Sequence, residues 1–384
     1  MDSFQVNSLI ELIQNIYNTK EVIPLHAPVF NGNEKKYINE TIDSTFVSTV
    51  GKFVEDFEKD MATFVGTKYA VATSSGTTAL HTALLVAGCD SESEVITQSL
   101  SFVAGCNAIN YCNSHPIFID VEKNTLGMSP ESLSNFLINN CEIKNDGNCW
   151  NKKSKRIIRA CLPTHVYGFS VSIDKIQKIC NEYNITLIED AAESLGSYYK
   201  DNHLGTFSKL ATFSFNGNKI ITSGGGGMVV TNDINLAKKI KHLSTTAKVP
   251  HKWEFNHDEI GFNYRMPNIN AALGIAQLEQ INFFLSNKKK TSSLYNEWCI
   301  KNDIKIVEPI ENSKPNFWLN TIIASDIKER NFILEETNKK LINTRPAWNL
   351  LHTLPMFTKC QVEDIPNSTW LFERIVNLPS SVNI

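Results

Sequence analysis

The sequence has no CxxC pair, no long apolar run and no surplus of either charge. Its nine cysteines, at 89, 106, 112, 141, 149, 161, 180, 299 and 360, are odd in number and scattered. They read as reduced intracellular thiols, which argues against a disulfide framework and against a zinc site; no metal is expected. With 37 basic and 40 acidic side chains the formal charge is -3. That balance favours neither nucleic acid nor an anionic membrane as partner and leaves a small ligand. The first residues carry Asp2 and Glu11 among apolar side chains, with no basic start. They read as neither a signal peptide nor a membrane span, so a cytoplasmic protein is the default expectation.

What is present is enough apolar material for a large core: 384 residues, 42% of them hydrophobic. At roughly 150 residues per domain this makes about two domains. Phe4, Leu9, Leu12, Ile13, Ile16 and Tyr17 recur at helical spacing and predict an amphipathic N-terminal helix. A second helix is expected from about Glu34 and a third through Phe57 and Phe64. Short apolar runs at 69–73, 94–98, 116–120, 156–161, 185–189, 211–215 and 228–231 then alternate with helical patterns. This is the rhythm of an α/β domain with a mostly parallel sheet. The stretch 139–155, rich in Asn and Lys, reads as a surface loop. Beyond about residue 250 the strand rhythm ends, and 271–285 reads as one long helix starting near Pro267. The expected division is 1–255, with 1–25 as a helical extension, and 256–384 as a smaller C-terminal α+β domain.

Three segments carry chemistry. The run TSSGTTAL at 73–80 takes a strand into hydroxyl residues and a helix start, an anion site in outline around Ser75, Gly76 and Thr77. Such residues are also ordinary N-caps. The segment lacks both the GKS/T of a Walker loop and the GxGxxG of a dinucleotide fold, so a lone phosphate fits it better than a nucleotide. In LIEDAAES an apolar strand delivers Asp190 into the crevice where α/β proteins bind ligands. There it caps a helix or pairs with a pyridinium nitrogen. In FSFNGNKIITS, followed by Gly224 to Gly227, Lys219 lies between a strand and a glycine run, near Ser214 and Asn216, where a buried amine serves as nucleophile. A phosphate cradle, an acid for a ring nitrogen and a lysine nucleophile make up the parts of a pyridoxal-phosphate (PLP) site. Phe102 follows the second strand and is placed either in the core or on a ring face. His165 is either a satisfied core histidine or a cofactor neighbour.

The segments SSGTTAL, SFVAGCNAI, THVYG, IEDAAESLGS, FSFNGNKIITSGGGG and HDEIGFNYRMPNINAALGIAQL resemble, in order and spacing, the DegT/DnrJ/StrS sugar aminotransferases, over about residues 24 to 380. With TTAKVPHKWEF and TRPAW they look most like the legionaminic-acid-pathway (LegC-like) branch. The resemblance implies PLP fold type I, a homodimer with active sites at the subunit interface, L-glutamate as amino donor with 2-oxoglutarate as its product, and a nucleotide-linked keto sugar as acceptor. The acceptor it implies is a 4-keto-6-deoxy-N-acetylhexosamine, UDP-linked, aminated at C4 for surface-glycan biosynthesis. By the same resemblance Lys219 carries the cofactor as a Schiff base, Asp190 binds the pyridine nitrogen and Phe102 stacks on the ring. Gly76, Thr77 and Ser214 hold the phosphate, and Asn263 reaches it from the other subunit. Glu193 stands where many members have His or Gln near the cofactor hydroxyl. Arg265, Arg345, Trp348 and His352 fall on the substrate side. Same-fold sugar dehydratases replace the lysine by His, and this chain keeps Lys219. A non-catalytic PLP-binding sensor would keep the site without turnover.

Overall fold

A computed structural model describes residues 1–383. Three helices come first: α1 (Ser3–Ile16), α2 (Glu34–Asp43) and α3 (Lys52–Val65). A capping box between Asp2 and Gln5 starts α1, which buries Val6, Leu9, Ile10, Ile13 and Ile16;. Phe4, which the sequence reading put on that face, is exposed. It stands two residues before Val6, about 200° around the helix.

The strands and helices that follow are β1 (Tyr69–Thr73), α4 (Gly76–Val86), β2 (Ser93–Gln98), α5 (Ala104–Tyr111), β3 (His115–Ile119) and α6 (Pro130–Asn140). After them come β4 (Cys141–Ile143), β5 (Cys149–Asn151), β6 (Ile157–Leu162), α7 (Ile173–Glu182) and β7 (Thr186–Asp190). The short pair β8 (Tyr198–Tyr199) and β9 (Asn202–His203) leads to β10 (Leu210–Ser214), β11 (Gly227–Thr231) and α8 (Ile234–Ser244). The stretch read as a loop at 139–155 therefore contains a hairpin, with Cys141 opposite Asn151 and Ile143 opposite Cys149. Its strands are three residues each, too short for an alternation to show, and buried Cys141 and Cys149 pin them to the core behind β3 and β6.

The C-terminal third holds α9 (Asn268–Leu278), α10 (Ile281–Lys301), β12 (Lys305–Ile306), β13 (Ser313–Lys314), β14 (Asn320–Ile323) and α11 (Ile327–Lys339). It ends with β15 (Arg345–Pro346), β16 (Gln361–Val362), α12 (Pro366–Phe372) and β17 (Ile375–Leu378). The single helix expected over 271–285 is two helices. No Gly or Pro marks the break; it lies where Gln277 and Gln280 both donate to the Glu34 carboxylate, at 2.6 and 2.7 Å.

The main sheet runs β1-β11-β10-β7-β6-β2-β3-β16. All pairs from β10 to β16 are parallel, while β11 is antiparallel to both neighbours. Strands β12, β14, β17 and β15 form a smaller antiparallel sheet. The apolar stripe of α1 packs there, against Tyr295, Trp298, Ile322, Ile333 and Val376. Helix α9 packs on α2 and α3. No helix among the described residues is long and apolar enough to cross a membrane.

One buried histidine holds the segment after β7 folded on itself. His203 Nε2 accepts from the Gly196 N–H at 2.8 Å and Nδ1 faces the Leu204 carbonyl. Both ring nitrogens are thus committed in the neutral form, and burial depresses its pKa from 6.5 to about 4. The unfolded chain then binds the proton first, so stability present above pH ~6.5 is lost as pH falls toward 4, by at most about 3 kcal/mol. Urea midpoints measured across that window should fall more steeply in the wild type than in His203→Asn; parallel curves would remove His203 from the acid response.

Candidate active site

Because β1 and β10 are each antiparallel to β11, the carboxyl ends of β1, β10, β7, β6 and β2 line one edge of the sheet, where open α/β sheets bind ligands;. At the end of β1, Ser75 and Thr78 form a capping box, Thr78 N–H to Ser75 Oγ 3.1 Å and Ser75 N–H to Thr78 Oγ1 3.0 Å. The box leaves the first N–H groups of α4, those of Gly76 and Thr77, without intrahelical partners at the positive end of the helix. Gly76 is required by space. A Cβ there would lie 2.8 Å from the Ser214 Cβ, so the helix start and the end of β10 close on each other as an anion cradle. The last glycine of the run has a related reason, since a Cβ on Gly227 would stand 2.6 Å from the Gly76 nitrogen.

Strand β7 presents two acids of opposite purpose. Glu189 points to one face and is saturated: it accepts from the N–H groups of Gly205, Phe207 and Ser208 at 2.8–2.9 Å, from Ser208 Oγ, and pairs with His165 Nε2 at 3.1 Å. Burial opposes its ionisation, but these partners outweigh burial and hold its pKa below the ordinary value;. Asp190 points into the crevice with fewer partners, the Ala192 N–H at 3.2 Å and Thr164 Oγ1 at 3.4 Å. Burial dominates there and raises its pKa, against the pull of the Ala192 N–H and the Lys219 charge. A buried carboxylate left short of donors is poised for a cationic N–H.

Lys219 follows β10 in a turn closed by its own N–H to the Asn216 carbonyl, 3.0 Å. Its Nζ lies 3.3 Å from Glu193 Oε1 and 3.9 Å from the centre of the Trp318 ring;. The other Glu193 oxygen accepts the Tyr167 N–H at 2.8 Å. Tyr167 sits in the left-handed region, φ 56, ahead of Gly168 at φ 93. For a bulky side chain that conformation costs roughly 1–2 kcal/mol, and here it aims the N–H at Glu193.

These groups share a cavity of about 350 Å³. Ser75, Gly76, Thr77, Phe102, Asp190, Glu193, Ser214, Asn216, Lys219 and Trp348 line it, so most of the residues read from sequence converge. A larger cleft of about 730 Å³, between Lys123 and Glu308, holds none of them. His165 is not among the residues that line the cavity. Its ring is fully buried, with Nε2 paired to Glu189 and Nδ1 accepting the Val171 N–H. Asn263 and Arg265 lie outside and bond to each other, Arg265 Nη2 to Asn263 Oδ1 3.0 Å. Arg345 turns to Asn338 at 2.9 Å, and His352 Nδ1 pairs with Ser99 Oγ at 2.8 Å. Sequence reasoning missed Trp318, Asn218 and Thr164 as lining residues. Trp318 comes from the C-terminal third, two residues before β14, with no glycine or motif around it; its ring under the Lys219 amine and its indole N–H to the Asn218 carbonyl, 2.6 Å, link it to the lysine turn.

The family model described as DegT/DnrJ/EryC1/StrS aminotransferase family matches residues 29–384. The chain belongs to this family. It is 38% identical over 361 residues to the GDP-perosamine synthase of Escherichia coli O157:H7, covering 93% of each chain. It is 34% identical to the enzyme of the same name from Vibrio cholerae, over 94% of each. Among solved structures its fold is similar to PseC of Helicobacter pylori, an aminotransferase involved in the biosynthesis of pseudoaminic acid, with a TM-score of 0.83, 24% identity and 94% of each chain covered. The protein is a PLP-dependent sugar aminotransferase with an α/β aminotransferase fold. Its residues fit the cofactor: the start of α4, with its free N–H groups, and Ser214 line the cavity together where an anion would be held, and Asp190 is a buried acid lacking a cation;.

Proposed function

We propose that this aminotransferase moves an amino group from L-glutamate to the C4 carbonyl of a nucleotide-linked 4-keto-6-deoxy-N-acetylhexosamine. The observation that carries the reading is the convergence of the Lys219 amine, the Asp190 carboxylate and the Gly76–Ser214 cradle on one cavity walled by Phe102, Trp318 and Trp348. When bound, PLP supplies the electron-withdrawing ring that makes the donor's α-proton removable. Lys219 holds the cofactor, and its Nζ takes a proton from the donor's α-carbon and later gives one to the sugar carbon. Asp190 faces the ring nitrogen and keeps its proton in place. Ser75, Gly76, Thr77 and Ser214 bind the phosphate, Phe102 packs on the ring, and Trp348, 6.1 Å from Phe102 between ring centres, borders the sugar.

In this reading the functional unit is a homodimer. Exposed Phe46, Val47, Val50, Trp253, Phe255 and Ile260 supply an apolar surface for a second copy;. Asn263 and Arg265, turned away from their own cavity, then serve the partner's site. Arg345 and His352, which do not line the cavity, are assigned to the sugar-nucleotide side by the family resemblance alone. The UDP-linked N-acetyl acceptor rests on the legionaminic-type motifs. A GDP-linked 4-keto-6-deoxyhexose is a second reading, favoured because the relatives at 38% and 34% identity are named GDP-perosamine synthases.

The test is a pair of spectra of the PLP-loaded protein. L-Glutamate should remove the band of the lysine-bound cofactor, and an accepting keto sugar should restore it while a 4-amino sugar nucleotide forms. Restoration by UDP-4-keto-6-deoxy-N-acetylglucosamine but not by the GDP-linked 4-keto-6-deoxyhexose supports the first reading, and the reverse supports the second. A site that hydrogen-bonds an acetamido group can reject the sugar lacking it by up to ~10⁴-fold. Restoration by neither overturns both.

A further inference from the structure

Amino transfer calls on Lys219 Nζ twice with opposite demands: neutral when it takes a proton from the donor, charged when it gives one to the sugar. Glu193 stands where the difference can be stored. Its Oε1 is 3.3 Å from Nζ, and among the described residues it is the one carboxylate paired with that nitrogen. The carboxylate is 3% exposed, so water does not compete for it. Its second oxygen is occupied by the Tyr167 N–H, and its own backbone carbonyl accepts from Asn316 Nδ2 at 2.9 Å. The side chain is thus fixed from both ends with one oxygen turned to the lysine.

We propose that Glu193 is a further catalytic residue, the proton store of Lys219. A proton leaves Nζ as an N–H bond breaks, an O–H bond forms on Oε1, and the electron pair stays on nitrogen, ready to act as a base. The reverse transfer recharges the amine before it protonates the sugar carbon. The other groups bearing on the pair favour this exchange. Burial and the Asp190 charge both raise the affinity of Glu193 for a proton, and Lys219 opposes them. The Tyr167 phenol, fully buried, stays neutral beside it. Lys219 also lies over the Trp318 ring, and burial, with the charges of Lys288 and Lys219, holds the pKa of His26, whose buried ring nitrogens have no partners, well below the ordinary value.

The proposal rests on the aminotransferase reading of the site and is tested by Glu193→Gln. Glutamine keeps the volume and an oxygen for the Tyr167 N–H but cannot take the proton. The loaded variant should react with L-glutamate about 10²-fold more slowly in a single turnover, with KM little changed. The wild-type rate should fall on the acid side with a limb that the variant lacks. The same limb should appear when PLP uptake by the wild-type apoprotein is followed by absorption against pH. A variant as fast as the wild type, with the same limb, would make Glu193 a hydrogen-bond bracket only and overturn the proposal. If the variant does not fold, the wild-type apoprotein decides: uptake with no acid limb overturns the proposal. A wild type that takes up no PLP at all overturns the aminotransferase reading instead, so the two failures are distinct.

Discussion

Replacing Lys219 by alanine is expected to leave a folded protein that no longer attaches PLP covalently and transaminates at least about 10⁴-fold more slowly. The fold should survive because the side chain makes few contacts that packing depends on. Its Nζ meets the Glu193 carboxylate and the Trp318 ring, and its backbone N–H, which closes the turn on Asn216, is kept by alanine. The uncompensated group left behind is Glu193. Burial raises its affinity for a proton and the Lys219 charge lowers it, so the variant's Glu193 should take up a proton rather than stay buried as an anion;. Reversible binding of PLP should remain, because the cradle of Gly76, Thr77 and Ser214 and the Asp190 carboxylate are untouched. The decisive measurement is borohydride reduction followed by mass analysis of the intact chain: the wild type gains the mass of the reduced cofactor and the variant does not. Incorporation into the variant would move the attachment point to another lysine and remove the central assignment.

The parts of this site that sequence made legible are those where the backbone itself does the work. A glycine that must let Ser214 approach, a glycine that must clear the Gly76 nitrogen, and a serine that caps α4 leave compositional marks at fixed distances from apolar strands. Strands such as β10 and β11 were legible for a similar reason, since strands buried on both faces are dense in apolar residues instead of alternating with polar ones;. What was illegible depends on distant partners. Trp318 reaches the lysine across nearly a hundred residues, and an isolated tryptophan gives no sign of which cavity it borders. Glu189 and Asp190 are adjacent acids, and only the sheet shows that alternate side chains of β7 send one to a saturated donor cluster and the other to the crevice;. The same alternation puts the His165 ring on the Glu189 side, where the two side chains pair. The hairpin at 139–155 was hidden by polar composition, and the break between α9 and α10 by the absence of any breaker residue. The left-handed Tyr167, by contrast, precedes a glycine in THVYG, and that glycine was the available hint of a tight backbone turn.

Asp190→Asn should separate binding from turnover. The substitution is nearly isosteric, and an amide oxygen can still accept the Ala192 N–H that holds the carboxylate at 3.2 Å. It cannot supply the negative charge that keeps a proton on a ring nitrogen, so the cofactor should bind while amino transfer slows by about 10²–10³-fold, the size expected when one oriented electrostatic group is lost from a buried site. Stability of the apoprotein should move the other way. Burial raises the Asp190 pKa in the folded chain, so the unfolded chain ionises first as pH rises. The contribution of Asp190 to stability is therefore fully present below its unfolded pKa and lost as pH rises through the raised folded value. Asparagine has no such loss, and near pH 7 the empty variant should unfold at the same or a higher temperature than the empty wild type. PLP should reverse the order, because a cationic N–H opposite Asp190 stabilises its ionised form in the wild type only. Melting temperatures of both proteins, each with and without PLP, test this crossing. A variant that is less stable when empty and gains as much from PLP as the wild type would mean that Asp190 is a structural cap on the turn after β7, and turnover at the wild-type rate would remove it from the ring nitrogen altogether.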